Sequence, residues 1–190
     1  MLPIYKYLSL LVFMLILIGC NKRVNDPAEK LSQDDRIDIE QFGERNTLEI
    51  ATWNIEMFPM HNKTVSDVTE IILDLEIDIY AVQEITDNAD FQRMLDSINV
   101  VDSLNQYDGR LNDEASFLKT GIIYKKSIVD VLADTHLFVG DNDFAGRPPY
   151  VLSVKAEKNN QIFDFNLIVL HLKAFDDPDS RARRQRAILK

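Results

Sequence analysis

The stretch that decides the fold is "IDIYAVQEI", residues 77–85. From Ile79 to Val82 its apolar side chains fall on both faces of an extended chain, and only the last polar residues, Gln83 and Glu84, break the pattern. A strand that is apolar on both faces is typical of a sheet that is covered on both sides. The stretch therefore predicts a central strand whose end carries polar groups.

Helical and extended patterns alternate around this strand. "LEIATWNI", residues 48–55, predicts a first strand, and residues 63–76 and 87–98 each place apolar side chains on one helical stripe. Further strands are predicted at residues 116–126, 127–134, 148–157 and 161–174, and a last helix at residues 179–190. We expect the first two of these strands to pair, and the turn "KNNQ" to join the other two. Strand–helix alternation followed by paired strands predicts an α/β protein with mixed sheets.

Two of the predicted strands end in the same way. The first strand delivers Asn54 and Glu56 just before Pro59, and the second delivers Gln83 and Glu84. Parallel strands joined by a crossover helix bring their carboxyl ends to one edge of a sheet, where open α/β folds place their sites. Carboxylate and amide oxygens are the hard ligands that magnesium or manganese takes. Taken singly, each of these residues is more often a strand-end hydrogen bonder than a ligand.

A third candidate group is His171, which follows four apolar residues in "NLIVLHLKA". Its ring could be a core histidine with satisfied nitrogens. It could also donate a hydrogen bond to a phosphoryl oxygen, where charge develops during an in-line attack. His61 and His136 lack that setting and are predicted to be ordinary surface or packing residues.

The N-terminus predicts export. A lysine-containing start is followed by a continuous apolar run at residues 8–18 and then by small residues, which is the order of a secretory signal. That run is shorter than the roughly 20 residues that a spanning helix needs. "LIGC", ending at Cys20, resembles a bacterial lipobox, in which the signal is cut before a cysteine that is then lipidated. The alternative is an uncleaved anchor or an unmodified thiol.

These features divide the chain into three parts. Residues 1–19 are predicted to be a lipoprotein signal peptide, residues 20–46 a lipidated cysteine with a polar tether, and residues 47–190 one domain. The expected location is the exported side of a bacterial membrane, periplasmic or at the cell surface. Nothing in the sequence predicts an oligomer.

The net charge and the cysteine content limit the partners and the kinds of catalytic site that the protein can have. The formal net charge of −10 argues against broad attraction to nucleic acid or an anionic membrane, although a bound cation can reverse the field at a phosphate site. Cys20 is the only cysteine, which excludes an internal disulfide and, within the mature domain, a thiol nucleophile or a cysteine-rich metal site. The basic run at residues 181–190 is better explained by a solvated helix face than by nucleic-acid binding.

Five fragments of the chain, taken in order, resemble the endonuclease/exonuclease/phosphatase superfamily. They are "TWNIEMF", "DIYAVQEI", "TGIIYKK", "RPPYVLSVK" and "NLIVLHLKA". Each lies on the expected element, and the resemblance covers residues 48–190. The resemblance implies the DNase I-like fold, a four-layer α/β/β/α sandwich with mixed sheets.

The resemblance also implies roles for individual residues. Glu84 matches the metal-binding glutamate, and Asn54 matches the asparagine that orients groups around the metal and the phosphate and could share in ligation. His171 matches the histidine that donates to the phosphate in the transition state. Arg147 matches an arginine that approaches the substrate backbone in several members, and a surface salt bridge is the alternative. The implied cofactor is a divalent cation, Mg²⁺ or else Mn²⁺.

The sequence departs from the family pattern after the last helix. The family places a Gly-Asp-x-Asn stretch there, followed later by an Asp and an Asp-His pair, and none of these occurs in residues 1–190. We therefore expect an N-terminal part of the domain, incomplete at its C-terminus and inactive by itself.

The function predicted for the complete enzyme is metal-dependent phosphodiester hydrolysis, with nucleic acid as the favoured substrate and a lipid anchor in the membrane. One alternative keeps the fold and changes the substrate to a phospholipid headgroup, as in a sphingomyelinase, or to a phosphomonoester. Another is a lipoprotein that binds a partner without catalysis.

Overall fold

The computed structural model of the protein describes residues 39–190. The predicted signal peptide, Cys20 and most of the predicted tether lie outside the described residues. Within residues 39–190, no helix is both long enough and apolar enough to span a bilayer. The strands are β1 (Ile50–Phe58), β2 (Ile79–Ile85), β3 (Tyr107–Leu111), β4 (Lys119–Lys125), β5 (Val129–His136), β6 (Tyr150–Lys158) and β7 (Gln161–Val169). The helices are α1 (Thr64–Leu75), α2 (Asn88–Val101) and α3 (Pro178–Ile188), with a 3₁₀ turn at Asn142–Phe144.

The first sheet has the strand order β1-β2-β4-β3 and is mixed. β1 and β2 are parallel and joined through α1, whereas β4 is antiparallel to both β2 and β3. Ile50 of β1 pairs with Ile79 of β2, and the register holds as far as Asn54 and Gln83. The predicted crossover unit is therefore present, and both parallel strands end at the same edge.

β2 is buried on both faces, as its sequence predicts. Tyr80 and Val82 belong to the core between the first sheet and helices α1 and α2. Ile79 and Ala81 belong to a second core, between the first sheet and strands β5, β6 and β7. The predicted α/β class is confirmed, and the described residues form a layer of helices and two layers of sheet.

The second sheet, with the order β5-β6-β7, is antiparallel throughout. Its β6–β7 hairpin turns at Asn159 and Asn160, which both have positive φ (54° and 60°), a conformation that asparagine tolerates in two-residue hairpins. The predicted pairing of residues 116–126 with residues 127–134 is wrong, because β4 and β5 lie in different sheets. β4 is almost wholly buried in the central sheet, while β5 leaves a solvated face.

Two other details differ from the sequence prediction. The sequence pattern does not predict β3, because "YDGRL" is mostly polar. Glycine is needed at position 109 of this strand, since a Cβ there would lie 2.7 Å from the ring of Phe91. The cap of α3 is Asp177 rather than Asp179 or Ser180: its carboxylate accepts the Ser180 N–H at 2.9 Å. Pro178 then occupies the first helical turn, where its missing N–H costs nothing.

A buried ion cluster, called the closed end below, lies where the parallel strands begin. It consists of Glu49, Asp78, Lys125 and Lys158. Lys158 Nζ lies 2.7 Å from Asp78 Oδ2 and 3.1 Å from Glu49 Oε2, and Lys125 Nζ lies 3.5 Å from Asp78 Oδ1. Asp78 is fully buried and also accepts the Glu49 N–H at 3.1 Å. The charges balance, so this cluster joins the residues just before β1 and β2 to β4 and β6 without leaving an unpaired buried charge.

Candidate active site

The opposite edge of the first sheet, where β1 and β2 end, has an irregular backbone. Register is lost between Asn54 and Phe58 of β1, and again where β2 pairs with β4 between Val82 and Ile85. Glu84 within this break has a φ of 68°, which is uncommon for a residue with a side chain. Bulges and such φ values re-aim side chains and are concentrated at functional sites.

Glu84 is the centre of this edge, and both of its oxygens are held. Asn54 Nδ2 donates to Oε1 at 2.9 Å, and the backbone N–H of Met57 donates to Oε2 at 3.2 Å. Asn54 is oriented in turn, because its Oδ1 accepts the Glu56 N–H at 3.0 Å. The carboxylate is fixed but stays 17% exposed, so a ligand can still reach it.

His171 lies against the same carboxylate, with Nε2 at 3.4 Å from Glu84 Oε1. It stands two residues beyond the end of β7 rather than inside the strand. Burial lowers the pKa of His171, the positive charge of Arg147 lowers it further, and the Glu84 carboxylate and the Leu118 backbone only partly oppose this shift. The imidazole is therefore neutral at pH 7, with one donor and one acceptor nitrogen. Nδ1 is buried and makes no well-aligned hydrogen bond within residues 39–190.

Arg147 completes the group. Its charge acts on both Glu84 and His171. Burial lowers the pKa of the guanidinium, Glu84 raises it and Arg183 lowers it, yet an arginine stays cationic. Its Nε is buried and has no hydrogen-bond partner in the described part of the chain. We call Asn54, Glu84, Arg147 and His171 the open end.

The structure thus brings together the four residues that the sequence singled out within the domain. In this arrangement Asn54 presents its amide NH₂ group to Glu84 and turns its oxygen to the backbone. That geometry orients Glu84, and the predicted share of Asn54 in metal ligation stays a prediction.

Other residues named from the sequence play different parts. Gln83 is buried and donates to Thr52 Oγ1 at 3.1 Å and to the Ala81 carbonyl at 3.0 Å, which ties β2 to β1. The Met57 backbone amide was not predicted as part of the site. No residue type signals it, because the contact depends on where the bulge in β1 places the chain.

The side chains of the open end can be compared with the ligands that a divalent cation requires. Among residues 39–190, no three His, Cys, Asp or Glu side chains are arranged to hold a metal. Mg²⁺ nevertheless usually keeps several waters and is bound through one or two carboxylates and substrate phosphates. An oriented, partly exposed Glu84 beside a cation and a neutral imidazole fits that mode, with Glu84 as the protein ligand.

Similarity to known proteins is seen in structure rather than in sequence. No family model matches the sequence, and neither does any curated protein. A humanized D. rerio TDP2 with 14 mutations superposes on the chain with a TM-score of 0.52 and 18% identity, over 75% of this chain and 54% of that one. D. rerio TDP2 complexed with a single-strand DNA product gives a TM-score of 0.51 and 18% identity, over 75% and 53%.

A bacterial structure is also similar. An endonuclease/exonuclease/phosphatase from Bacteroides vulgatus shows 20% identity and a TM-score of 0.47, over 75% of this chain and 58% of that chain. The chain spans about half the length of the TDP2 structures it matches. The predicted DNase I-like fold is confirmed by the superposition on the two TDP2 structures, which at 18% identity concerns the fold alone.

Proposed function

We propose that the protein is a metal-dependent phosphoester hydrolase whose reaction takes place at the open end. The observation that carries the proposal is the position of Glu84, held by Asn54 and the Met57 amide and flanked by Arg147 and His171. A carboxylate, a cation and a neutral imidazole on one partly buried edge suit a phosphoryl group together with a divalent cation. The DNase I-like fold is consistent with this chemistry but does not establish it.

Each residue has a role in the proposal. Asn54 fixes the carboxylate of Glu84, which holds the cation. When bound, the cation neutralises charge on the phosphoryl group. Arg147 attracts a phosphoryl oxygen, and its free Nε–H supplies a directed donor. His171 donates a hydrogen bond to an oxygen on which charge develops during the reaction.

For the substrate we propose a nucleic acid. D. rerio TDP2, which has the same fold, was solved with a single-strand DNA product. Phospholipid headgroups and phosphomonoesters offer the same anionic oxygens to Glu84, Arg147 and His171. Nicking of plasmid DNA, compared with headgroup release from sphingomyelin vesicles, separates these substrates.

The proposed activity is tested with a model phosphodiester on the protein expressed from its complete reading frame, which is called the full-length protein below. We expect hydrolysis with Mg²⁺, its loss in a chelator, and its loss in Glu84→Gln. Glu157→Gln is the matched control, because that carboxylate is 59% exposed on β6 and outside the site. Full activity in the chelator would rule out the metal mechanism, and full activity of Glu84→Gln would rule out the site.

We also propose that the protein is exported and anchored to a bacterial membrane through lipid on Cys20. The support is the order of residues 1–20, in which an apolar run leads to "LIGC". Two or more acyl chains anchor stably, since each buried methylene contributes about 0.8 kcal/mol. Incorporation of labelled palmitate that disappears in Cys20→Ala is the expected result; equal labelling of both proteins would refute the anchor.

A further inference from the structure

Helix α3 is attached to the domain by charge more than by apolar contact. Its buried residues are Ser180 and Ala187, whereas the apolar Ile188 and Leu189 are 71% and 86% exposed. Arg181, Arg186 and Lys190 are exposed, as the sequence predicts, and Arg183 and Arg184 are half-buried, yet several of these side chains also bind neighbouring loops. Isolated surface ion pairs contribute little to stability, so stabilising the helix does not by itself explain these contacts. The loops that the basic side chains bind suggest another role.

The first partner loop runs from Asp141 to Arg147. Arg186 donates to Asp143 Oδ1 from Nε at 3.0 Å and from Nη2 at 2.8 Å, and Lys190 Nζ donates to Asp143 Oδ2 at 3.0 Å. Lys190 also contacts the Asp141 carboxylate. The loop turns through its 3₁₀ segment, and the Arg147 N–H bonds the Phe144 carbonyl at 3.0 Å. Fixing Asp143 therefore fixes the backbone just before Arg147.

The second partner is the segment that follows His171, which has no regular secondary structure. Arg184 Nη1 donates to the carbonyls of Lys173 and Phe175, both at 2.7 Å. The guanidinium of Arg184 thus binds the carbonyls of both Lys173 and Phe175. Lys173 is two residues after His171 in the chain. Unlike Lys158 at the closed end, Arg184 binds backbone that carries a site residue.

We propose that α3 positions the open end: Arg184 holds His171 against Glu84, and the contacts of Arg186 and Lys190 with Asp143 hold Arg147. Arg184 and Asp143 are positioning residues, because they act on the site through the backbone. The positioning itself can be measured without activity; only its catalytic consequence rests on the proposed function.

The test uses Arg184→Gln in the full-length protein, with Arg181→Gln as the matched control. Arg181 lies on the same helix, but it is 58% exposed and contacts the 86% exposed Asp176, through the carboxylate at 2.8 Å and through the carbonyl at 3.1 Å, five residues after His171. The readout is the ring signals of His171 in long-range ¹H–¹⁵N NMR spectra, which contain three histidines and are assigned with His171→Gln. We expect Arg184→Gln to shift and broaden the His171 signals and Arg181→Gln to leave them unchanged.

A second variant, Asp143→Asn, tests the other contact. Arg147 has a buried Nε–H, so its side-chain signal should be visible. We expect that signal to move or broaden in Asp143→Asn while the His171 ring signals stay in place. If Arg184→Gln does not fold, Asp143→Asn alone tests the proposal. An unmoved Arg147 signal in Asp143→Asn would then overturn it.

The catalytic effect of Arg184 is measured separately, by enzyme kinetics. We expect kcat of Arg184→Gln on the phosphodiester to fall about tenfold with KM nearly unchanged, because a displaced His171 affects the transition state more than binding. If the wild type hydrolyses nothing, the proposed function fails and the NMR result still stands. Unmoved His171 signals in a folded Arg184→Gln protein would overturn the positioning role, whatever the activity.

Discussion

The two ends of the parallel strands β1 and β2 contain similar residues and differ in how those residues are paired. At the closed end, Asp78 and Glu49 are matched by Lys125 and Lys158. At the open end, Glu84 is held by neutral donors, while the buried Nε of the cationic Arg147 has no hydrogen-bond partner among the described residues. The backbone is regular at the first and bulged at the second. Asp78 Oδ1 at the closed end also lacks a hydrogen bond, although Lys125 Nζ lies 3.5 Å from it, so a buried polar atom without a hydrogen bond does not by itself identify a site. The open end is distinguished by a partly exposed carboxylate on bulged backbone.

The largest expected difference between the ends is in activity. Glu84→Gln should lower kcat on a phosphodiester by at least about 10³-fold, or roughly 4 kcal/mol of transition-state stabilisation. Its unfolding free energy should change by only about 1 kcal/mol, because the amide oxygen keeps one of the two hydrogen bonds, and the donor that is left, Asn54 or Met57, lies on an exposed edge where water can accept from it. Kinetics and urea unfolding on the same preparation measure both quantities. If stability collapses with activity, the open end is structural like the closed end.

The closed end should show the reverse behaviour. Lys158→Met leaves the buried Asp78 and Glu49 short of a cation, so we expect a loss of about 3 kcal/mol in the free energy of unfolding. Lys155→Met is the control on the same strand, because the Lys155 side chain is 35% exposed. Its Nζ lies 3.9 Å from the Glu157 carboxylate, a long ion pair that contributes at most about 0.5 kcal/mol to stability. Activity per folded molecule should stay at the wild-type level. Equal stability of the two variants would show that the cluster does not stabilise the fold.

A smaller effect sharpens the role of Arg147. Arg147→Lys keeps the charge but removes the planar donor group, so inorganic phosphate with Mg²⁺ should bind about tenfold more weakly, or roughly 1.4 kcal/mol. Isothermal titration calorimetry measures this affinity, with Lys155→Met as the control. Unchanged affinity would mean that Arg147 acts as a diffuse charge or makes no contact with the phosphate.

The smallest effect concerns pH at the closed end. Burial raises the pKa of Glu49, but hydrogen bonds from Thr47 and Lys158 outweigh it and hold the pKa below its ordinary value of 4.5. The unfolded chain then takes up the proton first, so this contribution to stability is complete above about pH 4.5 and is lost as the pH falls through the folded-state value. In urea unfolding between pH 6 and pH 3, Glu49→Gln should lose stability less steeply than the wild type. Parallel curves would exclude a part for Glu49 in acid unfolding.

Much of the fold could be predicted because its signals are local. The helical stripe of Phe91, Met94, Leu95 and Ile98 is the buried face of α2. The apolar run of β2 corresponds to a strand that is buried on both sides. The placement of β4 and β5 in different sheets could not be predicted, because pairing depends on partners distant in sequence and a short connection resembles a hairpin.

Asn54 and Glu84 of the candidate site could be named for a similar reason, whereas Arg147 was named only through the family resemblance. The groups that support the site could not be predicted. Asn54 and Glu84 are polar at the ends of apolar strands, a contrast visible in the sequence. The Met57 amide and the Arg184 contacts use backbone groups, which every residue has and no pattern marks. The half-buried position of Arg184 could not be predicted, because helical spacing alone does not show what lies beside the helix.

The most direct test of the account is the position of a bound cation. Mn²⁺ broadens nearby NMR signals, so a small amount added with inorganic phosphate to the wild-type protein should broaden the ring signals of His171. The amide signals of Asp78 and Lys158 at the closed end should stay sharp, and Glu84→Gln should abolish the broadening at His171. Sharp His171 signals in the wild type, with broadening at another part of the molecule, would contradict the assignment of the open end as the metal and phosphate site.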